Sequence, residues 1–111
     1  MTVYAIAQIS IHDRARYERY VAGFMPVLIQ YGGRLLAADE RPELVEGSWG
    51  RDKIIVMEFA DRDSFRRWSS SDEYQAISQD RIAATDGTVL LVQGVAPATA
   101  RAAQSTTSTS R

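Results

Sequence analysis

Apolar and polar positions alternate from Val3 to Ile11 (VYAIAQISI), with Val3, Ala5, Ala7, Ile9 and Ile11 on one side and Tyr4, Ile6, Gln8 and Ser10 on the other. This two-residue period predicts a strand that carries apolar side chains on both faces. The period then lengthens. Tyr17, Tyr20, Val21, Phe24, Val27, Leu28 and Tyr31 recur at helical spacing behind Asp13, an N-cap residue type. Pro26 inside that run is expected to kink the helix, and Gly32-Gly33 to stop it.

A short strand is predicted from Arg34 to Ala38, and the polar stretch 39–52, with Pro42, Gly47 and Gly50, reads as a long loop. Ile54 to Phe59 (IIVMEF) is apolar on both faces except at Glu58. Asp61 or Asp63 caps a second helix bearing Phe65 and Trp68. A fresh helix start follows at Ser70 or Ser71, Ser70 standing at capping-box spacing from Glu73. Tyr74, Ile77, Arg81 and Ile82 continue on one face, and Asp86-Gly87 is read as the turn into a strand at Thr88 to Gln93.

The order β-α-β-β-α-β, with right-handed crossovers, predicts an α+β, ferredoxin-like fold with one four-stranded antiparallel sheet of order 4-1-3-2. Two helices cover one face of such a sheet. A second face open to water would show a polar row on every strand, and these strands do not. The expected partner is therefore a second copy of the chain, the sheets packing face to face in a homodimer. From Ala96 the sequence (APATARAAQSTTSTSR) has no large apolar side chain and is expected to remain a disordered Ala/Ser/Thr-rich tail at 96–111 beyond a domain at 1–95.

Composition narrows the function. The chain has no cysteine, which removes disulfides, thiolate metal sites and a thiol nucleophile and suits a reducing cytoplasm. A net charge of −1 leaves no basic stripe for nucleic acid, and no apolar run is long enough for a membrane span. The strand Lys53 to Phe59 places a carboxylate where an RNA-recognition strand would present stacking aromatics. One histidine and scattered carboxylates give no metal-ligand spacing, and no cofactor is expected.

Several segments together resemble the DUF1330 family of small bacterial proteins in the dimeric α/β-barrel superfamily. They are Ser10-Ile11-His12-Asp13 with Arg16, Tyr17 and Tyr20; Tyr31-Gly32-Gly33-Arg34-Leu35-Leu36; Glu46-Gly47-Ser48-Trp49; Glu58-Phe59; Ser71-Asp72-Glu73-Tyr74-Gln75-Ala76-Ile77; and Arg81. The resemblance spans about residues 2–95. It departs at Ala38-Asp39-Glu40-Arg41, where members are often glycine-rich, and at Gly50 and Asp72, where they often have proline. It implies the fold and the dimer. The superfamily holds cofactor-free monooxygenases, small isomerases and haem-handling enzymes, so it implies no single activity.

Arg34 and Glu58 face each other if Ala38 pairs near Ile54, as a structural ion pair or as the polar anchor of a helix–sheet cleft in which Arg34 holds an anion and Glu58 orients it or acts as base. Tyr17, Tyr20, Tyr31 and Tyr74 are core aromatics that could also line such a cleft around Arg34. Trp49 either pins its own loop, reaches across a dimer or closes a pocket mouth. His12 is a cap-adjacent structural residue or, less simply, a general base. The sequence thus predicts a cytoplasmic homodimer that binds a small, partly apolar, anionic organic molecule through Arg34, Glu58, Tyr17, Trp49 and Tyr74. Any chemistry would be isomerase- or oxygenase-like and cofactor-independent, with Glu58 and His12 as catalytic candidates. The alternative is a non-catalytic dimeric module whose core is filled.

Overall fold

The computed structural model describes residues 1–95; the expected tail at 96–111 lies outside the described residues. Strand β1 (Val3–Ile11) is the spine of the sheet. Its two-residue alternation becomes a difference in burial: Val3, Ala5, Ala7 and Ile9 are buried under the helices, and Tyr4, Ile6 and Gln8 turn to the opposite, open face. Helix α1 (Arg14–Gln30) starts where the Asp13 carboxylate accepts the Arg16 N–H and runs through Pro26 as one element. Gly32, at φ 79°, takes the left-handed turn that releases the chain into strand β2 (Arg34–Asp39).

After the loop, strand β3 (Lys53–Phe59) pairs with both β1 and β2. Helix α2 (Arg62–Ser70) is capped by Asp61, and helix α3 (Asp72–Ala84) by Ser71. Strand β4 (Thr85–Gln93) closes the sheet, whose order is β2-β3-β1-β4 with antiparallel pairing throughout. This is the expected α+β arrangement. Phe59, Leu28 and Val3 form the fully buried centre, and Trp68 packs on Phe59 with ring centroids 5.3 Å apart.

One open choice is resolved and three local expectations are corrected. Of the two candidate caps, Ser71 starts α3: its Oγ accepts the Tyr74 N–H at 3.0 Å and donates to the Trp68 carbonyl at 2.8 Å, closing α2 and opening α3 with one side chain. Ser70 belongs to α2 and donates to the Arg66 carbonyl. Asp86-Gly87 is no turn. The helix runs directly into β4, because the Ala84 carbonyl accepts the His12 and Asp13 N–H groups and the Thr85 hydroxyl caps the Arg81 carbonyl. Asp86 and Gly87 already pair with Ser10 and Ile9.

Ala38 pairs with Ile55, not Ile54, because a bulge at Leu36 offsets the ladder by one residue after Arg34 and Leu35. Leu35 and Ala38 thereby share the helix-covered face. Finally, Ile82 is 60% exposed. Tyr74, Ile77 and Arg81 keep the inner side expected of them, with Ser78 buried between them, so Ile82 alone leaves the stripe.

Candidate functional site

The central strand carries only alanine at positions 5 and 7 on its covered face, and α1 lies above it with long aromatic side chains. Small floor residues under large roof residues leave space between them. A cavity of about 290 Å³ opens there, at the lower end of the range of about 300–1,000 Å³ typical of small-molecule sites. Ala7, Ile9, Ile55, Met57 and Val89 form the floor, with Leu35 and Ala38 toward the sheet edge. Tyr17, Tyr20, Val21, Phe24 and Met25 of α1 form the roof. Phe65, Trp68 and Ser69 of α2 and Tyr74 and Arg81 of α3 complete the wall.

The polar atoms of that wall are connected. The Tyr20 and Tyr74 hydroxyls lie 3.0 Å apart, and Arg81 Nε donates to the Tyr74 hydroxyl at 3.3 Å. Tyr74 stacks against Trp68 with ring centroids 4.1 Å apart. The Trp68 indole N–H is buried with no acceptor among the described residues. On the other side, Lys53 Nζ stands 4.9 Å from the centre of the Tyr17 ring, a cation–π contact, and that ring lies 5.9 Å from Tyr20. Burial, reinforced by the adjacent Tyr74 hydroxyl, holds the Tyr20 phenol far above the ordinary tyrosine pKa, so it is a neutral hydrogen-bond donor. No carboxylate lines the cavity among the described residues.

Tyr17 and Tyr74, two of the sequence candidates, are brought together here; Arg34, Glu58, Trp49 and His12 are elsewhere. Arg34 does pair opposite Glu58, with Nη1 donating to Oε1 at 2.9 Å. Glu58 neighbours Tyr4 on the open face, however, so the expected placement of this pair in the helix–sheet cleft is corrected. Strand parity is the physical reason: Met57 and Phe59 are buried beneath the helices, and the residue between them must point away. Trp49 also turns to the open face, its indole N–H donating to Gln8 Oε1 at 2.9 Å, which ties the 40–52 loop to its own sheet. His12 stands at the β1–α1 junction, 3.6 Å from the Asp86 carboxylate and outside the cavity. Tyr31 reaches outward, donating to Glu73.

The residues that replace Arg34 are Lys53 and Arg81. Both were detectable: Lys53 shares the parity of Ile55, Met57 and Phe59, and Arg81 follows Tyr74 by two helical turns. The orphaned Trp68 donor had no signal in the sequence.

The open face is the second feature. Tyr4, Ile6, Ile54 and Val56 lie at its centre, half-buried, and Leu36, Leu90 and Val92 are 44%, 51% and 41% exposed. No helix of the described residues is long and apolar enough to cross a membrane.

Comparison with solved structures shows the same fold. A protein of unknown function, RPA0582 from Rhodopseudomonas palustris, superposes with a TM-score of 0.74 at 15% identity over 86% of this chain and 84% of its own. SnoaB, a cofactor-independent oxygenase from Streptomyces nogalater, gives 0.63 at 14% identity over 86% of this chain and 94% of its own. A dimeric ferredoxin-like protein of unknown function from Thermobifida fusca gives 0.59 at 16% identity over 85% of this chain and 92% of its own. No curated protein matches the chain. The family model described as "Domain of unknown function (DUF1330)" matches residues 2–95, the whole of the described fold but for Met1, and the chain belongs to that family.

Proposed function

We propose that the protein is a cytoplasmic homodimer, closed through the open sheet face, that binds one small, planar, partly apolar organic anion in the helix–sheet cavity of each subunit. The observation that carries the ligand is the cavity wall: aromatic and aliphatic surface whose charged side chains are Lys53 and Arg81 and whose remaining polar atoms include unsatisfied donors. An apolar wall gives affinity by burial, and convergent donors select an acceptor-rich, negatively charged ligand. The dimer is supported by the apolar open face, on which Leu36, Leu90 and Val92 stand exposed in the single chain, and by the dimeric character of the Thermobifida fusca neighbour. Arg34 and Glu58 then belong to the interface and not to the ligand.

Turnover without a cofactor, of the kind named for SnoaB, suits this wall in one respect. Neutral donors beside two cations stabilise negative charge that develops on a bound oxygen. The candidates Glu58 and His12 lie outside the cavity, so the wall favours binding and anion stabilisation over proton abstraction by a protein base. The alternative module with a filled core is disfavoured by the open volume above Ala7.

A thermal-shift screen with 2-naphthoate, other small aromatic carboxylates and their neutral amides tests the reading. The expected result is stabilisation by carboxylates above amides, abolished in Ala7→Leu, which fills the floor while the fold is retained. Equal shifts in the wild type and Ala7→Leu, or none with any compound, would overturn it.

A further inference from the structure

The Tyr20–Tyr74 pair has a consequence that holds for either direction of its hydrogen bond. Two hydroxyls bring two hydrogens, and the bond between them uses one. If Tyr74 donates to Tyr20, the Tyr20 hydrogen is left over; if Tyr20 donates, the Tyr74 hydrogen is left over. No other acceptor serves either hydroxyl among the described residues, and Arg81 Nε enters Tyr74 as a further donor. Beside them, in the same wall, the Trp68 N–H is buried and unpaired. The Tyr20–Tyr74 pair therefore holds one surplus hydrogen in the cavity wall, next to a guanidinium 3.3 Å from one of the hydroxyls.

We propose that the cavity holds the ionised oxygen of a phenol or enol against the Tyr20–Tyr74 pair and Arg81, and so binds that ligand as its anion in preference to the neutral form. The proposal rests on the reading of the cleft as a ligand site and assigns the chemistry of its polar end. An ionised oxygen accepts the surplus hydrogen, whereas a neutral hydroxyl brings one more hydrogen into a wall already short of acceptors.

Charge acts in the same direction. The titratable and charged groups facing the site are Tyr17 and Tyr20 from α1, Lys53 from β3, and Tyr74 and Arg81 from α3; α2, β1, β2 and β4 present none. Asp80, next to Arg81, is already held by Arg16 and Arg19 on the outer side of the α1–α3 contact. Among the described residues Arg81 has no acidic partner within ion-pairing distance. The raised pKa of Tyr20 keeps that hydroxyl protonated across the range in which a ligand of this class ionises.

The probe is 4-nitrophenol, whose anion is coloured, with 4-nitroanisole as the analogue that cannot ionise. Absorbance titration of the probe with saturating protein gives its pKa when bound. The expected result is a fall of about one unit or more, equivalent to about tenfold preference for the anion. The double variant Tyr20→Phe/Tyr74→Phe, which removes the surplus hydrogen, and Arg81→Gln should each erase at least half of that fall. Cooperative thermal melts report that the variants are folded. Arg34→Gln, on the other face of the sheet, should leave the fall intact.

A bound probe that titrates at or above its free value, with 4-nitroanisole still bound, overturns this inference and leaves the cleft as a ligand site. A fall that survives both the Tyr20→Phe/Tyr74→Phe double variant and Arg81→Gln overturns it as well. Failure of both compounds to bind overturns the ligand site and the inference with it.

Discussion

Tyr20 and Tyr74 stand 54 residues apart in the chain and share a 3.0 Å bond between their hydroxyls in the wall of the cavity. The bond ties α1 to α3, and its two ends are unequal, because Arg81 reaches Tyr74 and not Tyr20.

That inequality predicts an asymmetric pair of variants. Tyr74→Phe leaves the Tyr20 hydroxyl buried with no partner and should cost about 1–3 kcal/mol, the penalty of an unpaired buried polar group. Tyr20→Phe leaves Tyr74 with Arg81 and should cost about 1 kcal/mol or less. Urea denaturation of the two single variants and the double one checks this. The double variant should cost less than the sum of the singles.

Ser71→Ala should destabilise by about 1–2 kcal/mol, since it removes the N-cap of α3 together with the hydroxyl that closes α2. Ser70→Ala removes a bond within α2 and should change stability by about 0.5 kcal/mol or less. Equal losses by chemical denaturation would contradict the placement of the helix junction at Ser71.

Gly87→Ala should be among the most damaging single-methyl additions in the chain. Gly87 sits at φ 154° inside β4, and a Cβ there would fall within the Gln8 carbonyl of the neighbouring strand. Gly50→Ala adds the same methyl group to open space and should be tolerated. Thermal melts of the two variants make the comparison, with Gly87→Ala lower by many degrees.

The same glycine shows what the sequence could and could not disclose. Asp86-Gly87 has the composition of a turn, and nothing local distinguishes a glycine that turns the chain from one that admits a neighbouring carbonyl. The bulge at Leu36 was hidden for a related reason: Leu35 and Leu36 carry no breaker, and the offset arises from pairing with β3. Helix starts at Asp13 and Asp61 were legible from capping chemistry, and strand order from periodicity and crossover handedness; the Arg34–Glu58 pairing holds although the Ala38 register it was read from is offset by the bulge. The side of the sheet on which Glu58 lies was also available from its parity with buried Met57 and Phe59. The meeting of Tyr20, Tyr74, Arg81 and Lys53 was not, since it depends on how α1 and α3 lie over β1 and β3.

Asp80 links stability to pH. Its pKa is lowered by the hydrogen bond from Arg16, at 3.0 Å, and by Arg19. A carboxyl depressed in the folded state stabilises above its unfolded pKa and loses that contribution as pH falls through the folded value. The α1–α3 contact should therefore weaken in acid, below the ordinary aspartate range, and Asp80→Asn should flatten that part of the stability–pH curve. A carboxyl NMR titration should find Asp80 below the usual value in the wild type and restored toward it in Arg16→Ala.

Arg34→Glu should convert the proposed dimer to monomer, since it sets a second carboxylate against Glu58 on the β2–β3 side of the open face. Light scattering reports the change. An unaltered mass would place the interface elsewhere.

The two tryptophans allow the ligand site to be tested in a single spectrum. Trp68 has a buried indole N–H without an acceptor in the cavity wall, and the Trp49 N–H is bonded to Gln8 on the other side of the sheet. Two-dimensional 15N–1H NMR resolves both indole signals during titration with 2-naphthoate. The Trp68 signal should shift, because its ring lines the cavity, while the Trp49 signal stays in place. Movement of Trp49 alone, or of neither indole at saturating ligand, would contradict the assignment of the cavity as the binding site.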